Sequence, residues 1–168
     1  MKKIVIALLV VGFFWACKEQ GPARYTVTSA EIDQAKALLS EYEKGDWEAW
    51  MSHYADTAKV YHNSTTAVTA EEALDAHKGA IANVSAYSFP KDDQFTEMII
   101  DDEGDKWVYF WGTWEGTLSA NGEKIELPVH LAMQFVDNKI VEEFGYWDNF
   151  PIRESLRELA AAAVTNEE

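Results

Sequence analysis

The chain has 168 residues, with 14 lysines and arginines against 29 aspartates and glutamates, and its formal net charge at pH 7 is −15. Nucleic acid and anionic lipid headgroups bind basic surfaces, so this balance argues against both as partners. The length is that of one domain with a core of its own.

Residues 1–17 have the pattern of an export signal. Two lysines precede the apolar run Ile4–Trp15, which is too short to cross a bilayer comfortably and is followed by Ala16-Cys17. The ending FWAC resembles the lipobox of bacterial lipoproteins, whose cysteine becomes the lipidated first residue. We therefore expect a protein of the bacterial cell envelope that is anchored in the outer membrane through a lipid on Cys17. The pattern fits either the periplasmic or the surface side of that membrane. Secretion without lipidation and a retained anchor are the alternatives.

The remaining chain offers little for metal or thiol chemistry. Cys17 is the only cysteine, so the mature domain has neither a disulfide nor a thiol nucleophile. The four histidines form no His-x-x-x-His or two-histidine-carboxylate spacing. The sequence accordingly predicts no metal and no cofactor. Residues 18–28 are short, polar and contain Gly-Pro, which favours a tether.

Three helices precede the main strands. The first begins with a capping box at Thr28 and ends at Gly45, and the second is short, is capped by Asp46 and has an aromatic stripe. The third follows a capping box at Thr69. Its inner stripe is apolar except for His77, which we interpret as a core histidine. The aromatic stripe of the second helix consists of four residues at helical spacing: Trp47, Trp50, Met51 and Tyr54.

A short strand, Ala58 to Asn63, lies between the second and third helices, with Lys59, Tyr61 and Asn63 on one side. Another strand is predicted from Phe95 to Ile100. The stretch from 106 to 148 then reads as three long antiparallel strands, because Asn-Gly at 121–122 and Asp-Asn at 137–138 suit two-residue turns. Pro151 begins a final helix.

Two-residue turns fix a register for the three long strands, and with it two faces of the sheet. The first face is apolar and carries Trp114, Phe144, Tyr146 and Asp148. We expect helices to cover it. The second face is aromatic with interleaved polar groups, and we expect a second copy of the chain to cover it. This homodimer face contains Trp107, Trp111, His130, Glu143 and Trp147.

The order of elements indicates an α+β fold, in which three N-terminal helices pack on a curved antiparallel sheet and a C-terminal helix follows. The predicted divisions are a signal at 1–17, a tether at 18–28, a domain at 29–150, and a helix with a polar tail at 151–168.

Several motifs resemble one known family. They are the run GDWEAWMSHYADTAKVYHN from Gly45 to Asn63, the helix after Thr69, and the ending QFVDNKIVEEFGYWD from 134 to 148. Together with the element order they look like the SnoaL-like group of the nuclear transport factor 2 superfamily, over roughly residues 30–150. The resemblance implies a cone-shaped sheet around a blind apolar pocket, commonly in a dimer. It does not imply one reaction, because members include cyclases, isomerases, hydrolases and proteins that only bind.

Asp148 is the predicted catalytic residue, since the register places its carboxyl on the apolar face, where burial would favour general acid or base chemistry. The alternative is a turn or cap residue for the helix at Pro151. With Tyr61 and Asn63, Asp148 is similar to the water-holding set of limonene-epoxide hydrolases. Those enzymes also use an Arg-x-Asp pair, for which this chain has no counterpart in residues 110–114.

His130 is a further candidate. Strict pairing turns it away from Asp148, but Pro128 lacks an N–H, so a bulge there could turn His130 into the pocket. His53 and His62 carry no distinguishing signal. The predicted ligand-binding residues are Trp50, Tyr54, Tyr61, Asn63, Trp114 and Tyr146.

Three functions remain open from the sequence. The first is binding of a small, mostly apolar molecule in the pocket at the cell envelope. The second is a cofactor-independent isomerase, cyclase or hydratase that uses Asp148 as general acid or base. The third is a non-catalytic interaction subunit of an envelope complex.

Overall fold

The computed structural model describes residues 23–165. The predicted export signal, the lipidation site Cys17 and residues 18–22 of the predicted tether lie outside the described residues. Within the described part, no helix is both long enough and apolar enough to cross a membrane.

The described part contains four helices, seven strands and one short 3-10 helix at Lys91–Asp93. The helices are α1 (Ala30–Lys44), α2 (Trp47–Ser52), α3 (Ala70–Ile81) and α4 (Phe150–Thr165). The strands are β1 (Tyr25–Thr26), β2 (Tyr54–His62), β3 (Val84–Ser88), β4 (Phe95–Ile100), β5 (Lys106–Leu118), β6 (Lys124–Val136) and β7 (Lys139–Trp147).

All seven strands form one curled sheet, in which six strands follow the order β1-β4-β5-β6-β7-β2 and β3 lies off this path, paired with β5. The long strand β5 pairs with β4 along its first half and with β3 along its second half. Every described pairing is antiparallel except that of β2 with β7. The predicted α+β class, with helices on a strongly curved sheet and a C-terminal helix, is confirmed.

The helix termini follow local capping chemistry. Ser29 caps α1, because its side-chain oxygen accepts the Ile32 N–H at 3.1 Å; the predicted capping box at Thr28 was therefore one residue early. Glu31 does not close such a box, because its buried carboxylate pairs with Lys106. Gly45 ends α1 with φ +67°, as predicted. The box of Thr69 with Glu72 is complete in both directions.

Two elements differ from the predictions around the short helices. Helix α2 ends at Ser52, and Tyr54 begins β2 instead of extending the aromatic stripe of α2. Helix α3 ends at Ile81. The residues after it form β3, which the sequence analysis missed and which pairs with β5 from Glu115 to Leu118.

The β5–β6 connection is longer than a two-residue turn, yet the faces of both strands are as predicted. Thr117 pairs with Lys124, and the Leu118 N–H donates to the carbonyl of Glu123 at 2.9 Å. The predicted register is thereby shifted by two residues. Because side chains alternate with a period of two, this shift leaves every side chain on its predicted face.

The β6–β7 pairing contains a bulge that overturns the predicted faces of β7. Val136 pairs with Lys139 and Phe135 with Ile140 as expected, but Gln134 then pairs with Glu142, so Val141 is an extra residue. Beyond the bulge, every β7 side chain lies on the face opposite to the predicted one. Glu143 and Trp147 face the helices, whereas Phe144 and Tyr146 face outward.

The core lies between the concave face of the sheet and helices α1 to α3. Its most deeply buried large side chains come from both layers: Ile32, Val60, Val108, Phe110, Leu118, Met133 and Ile140. The cavity that concerns function is at one end of this core.

Candidate functional site

A cavity of about 100 Å³ lies between the sheet, the three N-terminal helices and the start of α4. Its walls are mostly apolar and aromatic, with a few polar side chains. The lining residues are Leu38, Leu39, Tyr42, Trp50, Tyr54, His62, His77, Ala80, Ile81, Phe89, Trp114, Leu127, Val129, Leu131, Glu143, Trp147, Asn149 and Ile152.

Three polar side chains form a hydrogen-bonded network in the cavity wall. The Glu143 side chain is buried, and the residue is only 2% exposed. Its Oε2 accepts the hydroxyl proton of Tyr54 at 2.7 Å, and its Oε1 accepts the Nε2 proton of His62 at 2.7 Å. The carboxylate therefore has one partner on each oxygen, as a buried charge requires.

Two irregularities of the sheet bring this network together. The β7 bulge turns Glu143 toward the cavity. The parallel partner β2 supplies both donors, because Tyr54 pairs with Ile140 and His62 with Gly145. The register of the β2–β7 pairing shifts between Tyr54 and Lys59, beside the bulge in β7. The network thus depends on the only parallel pair among the described strands.

The environment determines the protonation states of the network. Burial raises the pKa of Glu143, but the hydrogen bond and charge of His62, together with the Tyr54 hydroxyl, outweigh it and hold the pKa below its ordinary value of 4.5. The carboxyl is therefore ionised at neutral pH. Burial, and then the Glu143 charge, raise the pKa of Tyr54 well above its ordinary value, so its phenol stays a donor.

His77 of α3 lies beside the network and is a neutral histidine. Burial is the main cause that lowers its pKa from 6.5 to about 4, and the neighbouring His62 lowers it further. Its ring contacts those of His62 at 5.0 Å, Tyr42 at 5.4 Å and Trp50 at 5.7 Å between centroids. Neither ring nitrogen has a hydrogen-bond partner among residues 23–165.

Two glycines allow the aromatic walls to lie flat against the sheet. A Cβ on Gly145 would come within 2.7 Å of both His62 Cδ2 and Trp147 Cζ3. A Cβ on Gly116 would come within 2.1 Å of Trp114 Cη2. Only glycine leaves room for these rings at their observed positions.

Of the predicted ligand-binding residues, Trp50, Tyr54 and Trp114 line the cavity. Tyr61, Asn63 and Tyr146 do not. Tyr61 stacks outward on Phe144 with 4.7 Å between ring centroids, and the exposed Asn63 accepts the Trp147 N–H at 3.1 Å. Tyr146 is 50% exposed on the outer face, because the β7 bulge reverses the direction in which its side chain points.

The structure does not place Asp148 in the cavity either. Its side chain is exposed, and its Oδ1 accepts the Phe150 N–H at 2.8 Å, which makes it the turn residue before α4. His130 remains on the outer face: Pro128 pairs with Thr113 without a bulge, and the His130 Nδ1–H donates to the Phe110 carbonyl at 3.0 Å. The predicted set of Asp148, Tyr61, Asn63 and His130 is therefore not assembled around the cavity.

Sequence reasoning missed Glu143, His62 and Trp147 as cavity residues and assigned His77 only to the core. One signal was available. Glu142 and Glu143 are consecutive in a strand, so one carboxylate of the pair has to face the core in any register. A buried carboxylate on a strand needs partners, and two histidines were the natural candidates.

The described residues give little support for a cation site. Asp101, Glu103 and Asp105 form the one acidic group in the described chain that is close enough together to share an ion, and none of them lines the cavity. Asp101 is already occupied as a turn residue, because its Oδ1 accepts the N–H groups of Glu103 and Asp105.

Comparisons with known proteins agree with this architecture. A comparison with curated proteins finds no match. Among solved structures, IdmH of Streptomyces antibioticus, a candidate polyketide cyclase, is 17% identical with a TM-score of 0.63, covering 76% of this chain and 99% of its own. AclR of Streptomyces galilaeus, a candidate hydroxylase, is 12% identical with a TM-score of 0.62, covering 76% and 96%.

A candidate SnoaL-like polyketide cyclase of Shewanella denitrificans OS-217 is 13% identical with a TM-score of 0.59, and the match covers 78% of this chain and 99% of that one. At these identities the similarity shows a shared fold and no shared reaction. Residues 35–143 match the sequence profile of the SnoaL-like domain. The chain therefore belongs to the SnoaL-like domain family.

Proposed function

We propose that this domain binds a small, mostly apolar molecule in the cavity described above. The observation that carries the proposal is an apolar, aromatic cavity with a buried and ionised Glu143 in its wall. Such a combination is typical of ligand sites, where apolar walls supply affinity and a few polar groups orient the ligand.

A second candidate is cofactor-independent acid–base catalysis on the bound molecule, as in an isomerase or cyclase. The network of Glu143, His62 and Tyr54 favours it, since a carboxylate and a histidine 2.7 Å apart can share a proton. The pair could take a proton from one carbon of the ligand and return it to another, which balances without a cofactor. Glu143 then has the role that the sequence analysis assigned to Asp148.

The structural neighbours support the proposal of acid–base catalysis, but they do not select one reaction. Two of those described above are candidate polyketide cyclases and one is a candidate hydroxylase. Proton transfer next to a carbonyl is common to cyclisation and isomerisation, so it is the step that we propose for the network.

Native mass spectrometry of the full chain, followed by denaturation and identification of released small molecules, tests the binding proposal. We expect a reproducible adduct that Ile152→Trp abolishes, because Ile152 lines the cavity and the larger ring would fill it. An adduct that survives this substitution would place the ligand elsewhere. With the identified ligand as substrate, Glu143→Gln should abolish any turnover and Asp148→Asn should retain it.

We also propose that the chain is anchored to a bacterial envelope through Cys17, on the basis of the FWAC ending of its apolar leader. Growth with a labelled fatty acid tests it. Label should appear in the wild-type chain and not in Cys17→Ser, and label in neither would contradict lipidation. A non-catalytic role in an envelope complex is a further proposal, because the same anchor would hold the domain at the membrane.

We propose in addition that the outer sheet face joins two copies of the chain. A row of rings crosses β4, β5, β6 and β7 on this face, formed by Phe95, Trp111, His130 and Tyr146. Trp111 is 39% exposed, Phe95 48% and Tyr146 50%, and neighbouring rings of the row are in contact, so they form one contiguous exposed patch of the kind that marks protein–protein interfaces. Trp107 belongs to the same face, whereas Trp147 lines the cavity on the other side.

A further inference from the structure

The cavity is small, and its size limits the ligand that it can hold. Its volume is about 100 Å³. A buried apolar cavity of about 150 Å³ is known to accept one benzene molecule. The present cavity is smaller than that, so the part of a ligand that lies between these walls has at most one six-membered ring.

The walls have little room to retract. The Trp114 ring lies so close over Gly116 that a Cβ there would be 2.1 Å from it, and a Cβ on Gly145 would be 2.7 Å from the Trp147 ring. Both rings are already pressed against the backbone of the sheet. Trp50, which forms the helix side of the wall, is 3% exposed and packed in the core cluster. Enlarging the cavity toward these three rings would thus require moving an element of secondary structure and not a side chain.

Charge restricts the ligand further. Neither lysine nor arginine lines the cavity among the described residues, and Glu143 carries a negative charge there. A carboxylate or phosphate ligand would find repulsion and no counter-ion. A cation would have to give up its hydration for a carboxylate whose charge is already shared by two hydrogen bonds, from Tyr54 and from His62. An uncharged ligand avoids both costs.

His77 supplies a polar contact for such a ligand. It lines the cavity, and its ring nitrogens have no hydrogen-bond partner in the described part of the chain. A neutral imidazole presents one N–H donor and one acceptor nitrogen. A hydroxyl can use either nitrogen and a carbonyl can use the N–H.

We infer that the cavity selects an uncharged, single-ring molecule with one hydroxyl or carbonyl group, and that His77 holds this group. The inference rests on the proposed binding function and narrows it to a chemical class.

Isothermal titration of the full chain with matched probes tests the inference. Phenol and cyclohexanone have the inferred features, benzoate and benzylammonium have the ring with a charge, and 2-naphthol has a second ring. We expect phenol or cyclohexanone to bind at least about tenfold more tightly than each of the other three probes. His77→Phe, which keeps the ring and removes the nitrogens, should weaken this binding about tenfold through the lost hydrogen bond.

Two cavity-filling variants give the control. Ile152→Trp on α4 and Ala80→Trp on α3 both extend a ring into the cavity, and Ala80 is exposed enough that folding should survive. Either variant should abolish binding of the uncharged single-ring probes.

The outcomes separate the two proposals. Tighter binding of 2-naphthol or of a charged probe, lost in the filled variants, would overturn the inferred class and leave the binding function standing. Unchanged phenol and cyclohexanone affinity in His77→Phe would overturn the role of His77. No binding of any probe would overturn the inferred class, and the adduct in native mass spectrometry would then decide the binding function separately. Binding that survives both filled variants would place the probes outside the cavity and contradict the inference.

Discussion

The Nε2 proton of His62 is donated to Glu143 Oε1 at 2.7 Å, although 81 residues separate the two in the chain. Both side chains are largely removed from water, with side-chain exposures of 13% and 3%. The pair therefore links β2 to its neighbouring strand β7 across a long stretch of chain, and stability as well as function should depend on it.

Glu143→Gln should lower the free energy of unfolding by about 2 kcal/mol, because two hydrogen bonds to a buried charge become weaker neutral ones. Urea unfolding followed by tryptophan fluorescence measures the change. The matched control is Glu142→Gln, which changes the neighbouring carboxylate on the half-buried outer side and should cost less than about 0.5 kcal/mol. Equal losses in the two variants would contradict the importance of the network.

His77 should make stability fall as the solution becomes mildly acidic. Its pKa is about 4 in the folded chain and about 6.5 in the unfolded chain, so below pH 6.5 only the unfolded chain gains a proton. Above pH 6.5, His77 costs no stability. As the pH falls toward the pKa of His77 in the folded chain, the loss in the free energy of unfolding should approach about 3 kcal/mol. Denaturant unfolding at a series of pH values measures it.

The window above pH 4.5 separates His77 from Glu143. The pKa of Glu143 is held below 4.5, so its contribution is present above that pH and is lost only as the pH falls further. His77→Phe should flatten the slope between pH 6.5 and pH 4.5. A slope that persists in His77→Phe would show that another group causes it.

Gly145→Ala should disturb the cavity more than its single methyl group suggests. The new Cβ would meet the rings of His62 and Trp147 at 2.7 Å, and we expect a loss of about 1–3 kcal/mol from overpacking. The side-chain NMR signals of His62 should shift. Gly79→Ala is the control: it lies on α3 with open space around its Cβ, and the same change should stabilise the helix by about 0.5–1 kcal/mol.

Trp111→Glu should convert a dimer into a monomer if the outer face joins two copies, because it places a charge in the centre of the aromatic row. Sedimentation velocity at micromolar concentration measures the change. Trp147→Phe is the comparison, since Trp147 lines the cavity and should leave the dimer intact while it alters ligand binding. A wild-type chain that sediments as a monomer would contradict the interface itself.

Local patterns predicted most of the fold. The capping box at Thr69, the stop at Gly45 and the strand Phe95–Ile100 all depend on residues a few positions apart, and all are present. The faces of β5 and β6 were also correct. Their loop is longer than predicted, but by an even number of residues, so the alternation of side chains absorbs the error.

The candidate site could not be predicted in the same way. Ile140 and Val141 are both apolar, so the hydrophobic pattern of β7 fits either register and hides the bulge between them. What favours the observed register is distant in the chain: Tyr54 and His62 on β2 become partners of Glu143 only after a parallel pairing that spans some eighty residues. Asp148 looked catalytic because the unbulged strand would have turned it inward.

The bulge at Val141 also bears on how such domains diverge. Because the extra residue reverses the direction of every later side chain in β7, deleting it would send Glu143 and Trp147 outward and bring Phe144 and Tyr146 toward the cavity. One codon thus separates two different pocket linings encoded in the same strand. Relatives that differ by a single insertion here can present unlike chemistry on an almost unchanged sheet, which sequence identity alone would not register.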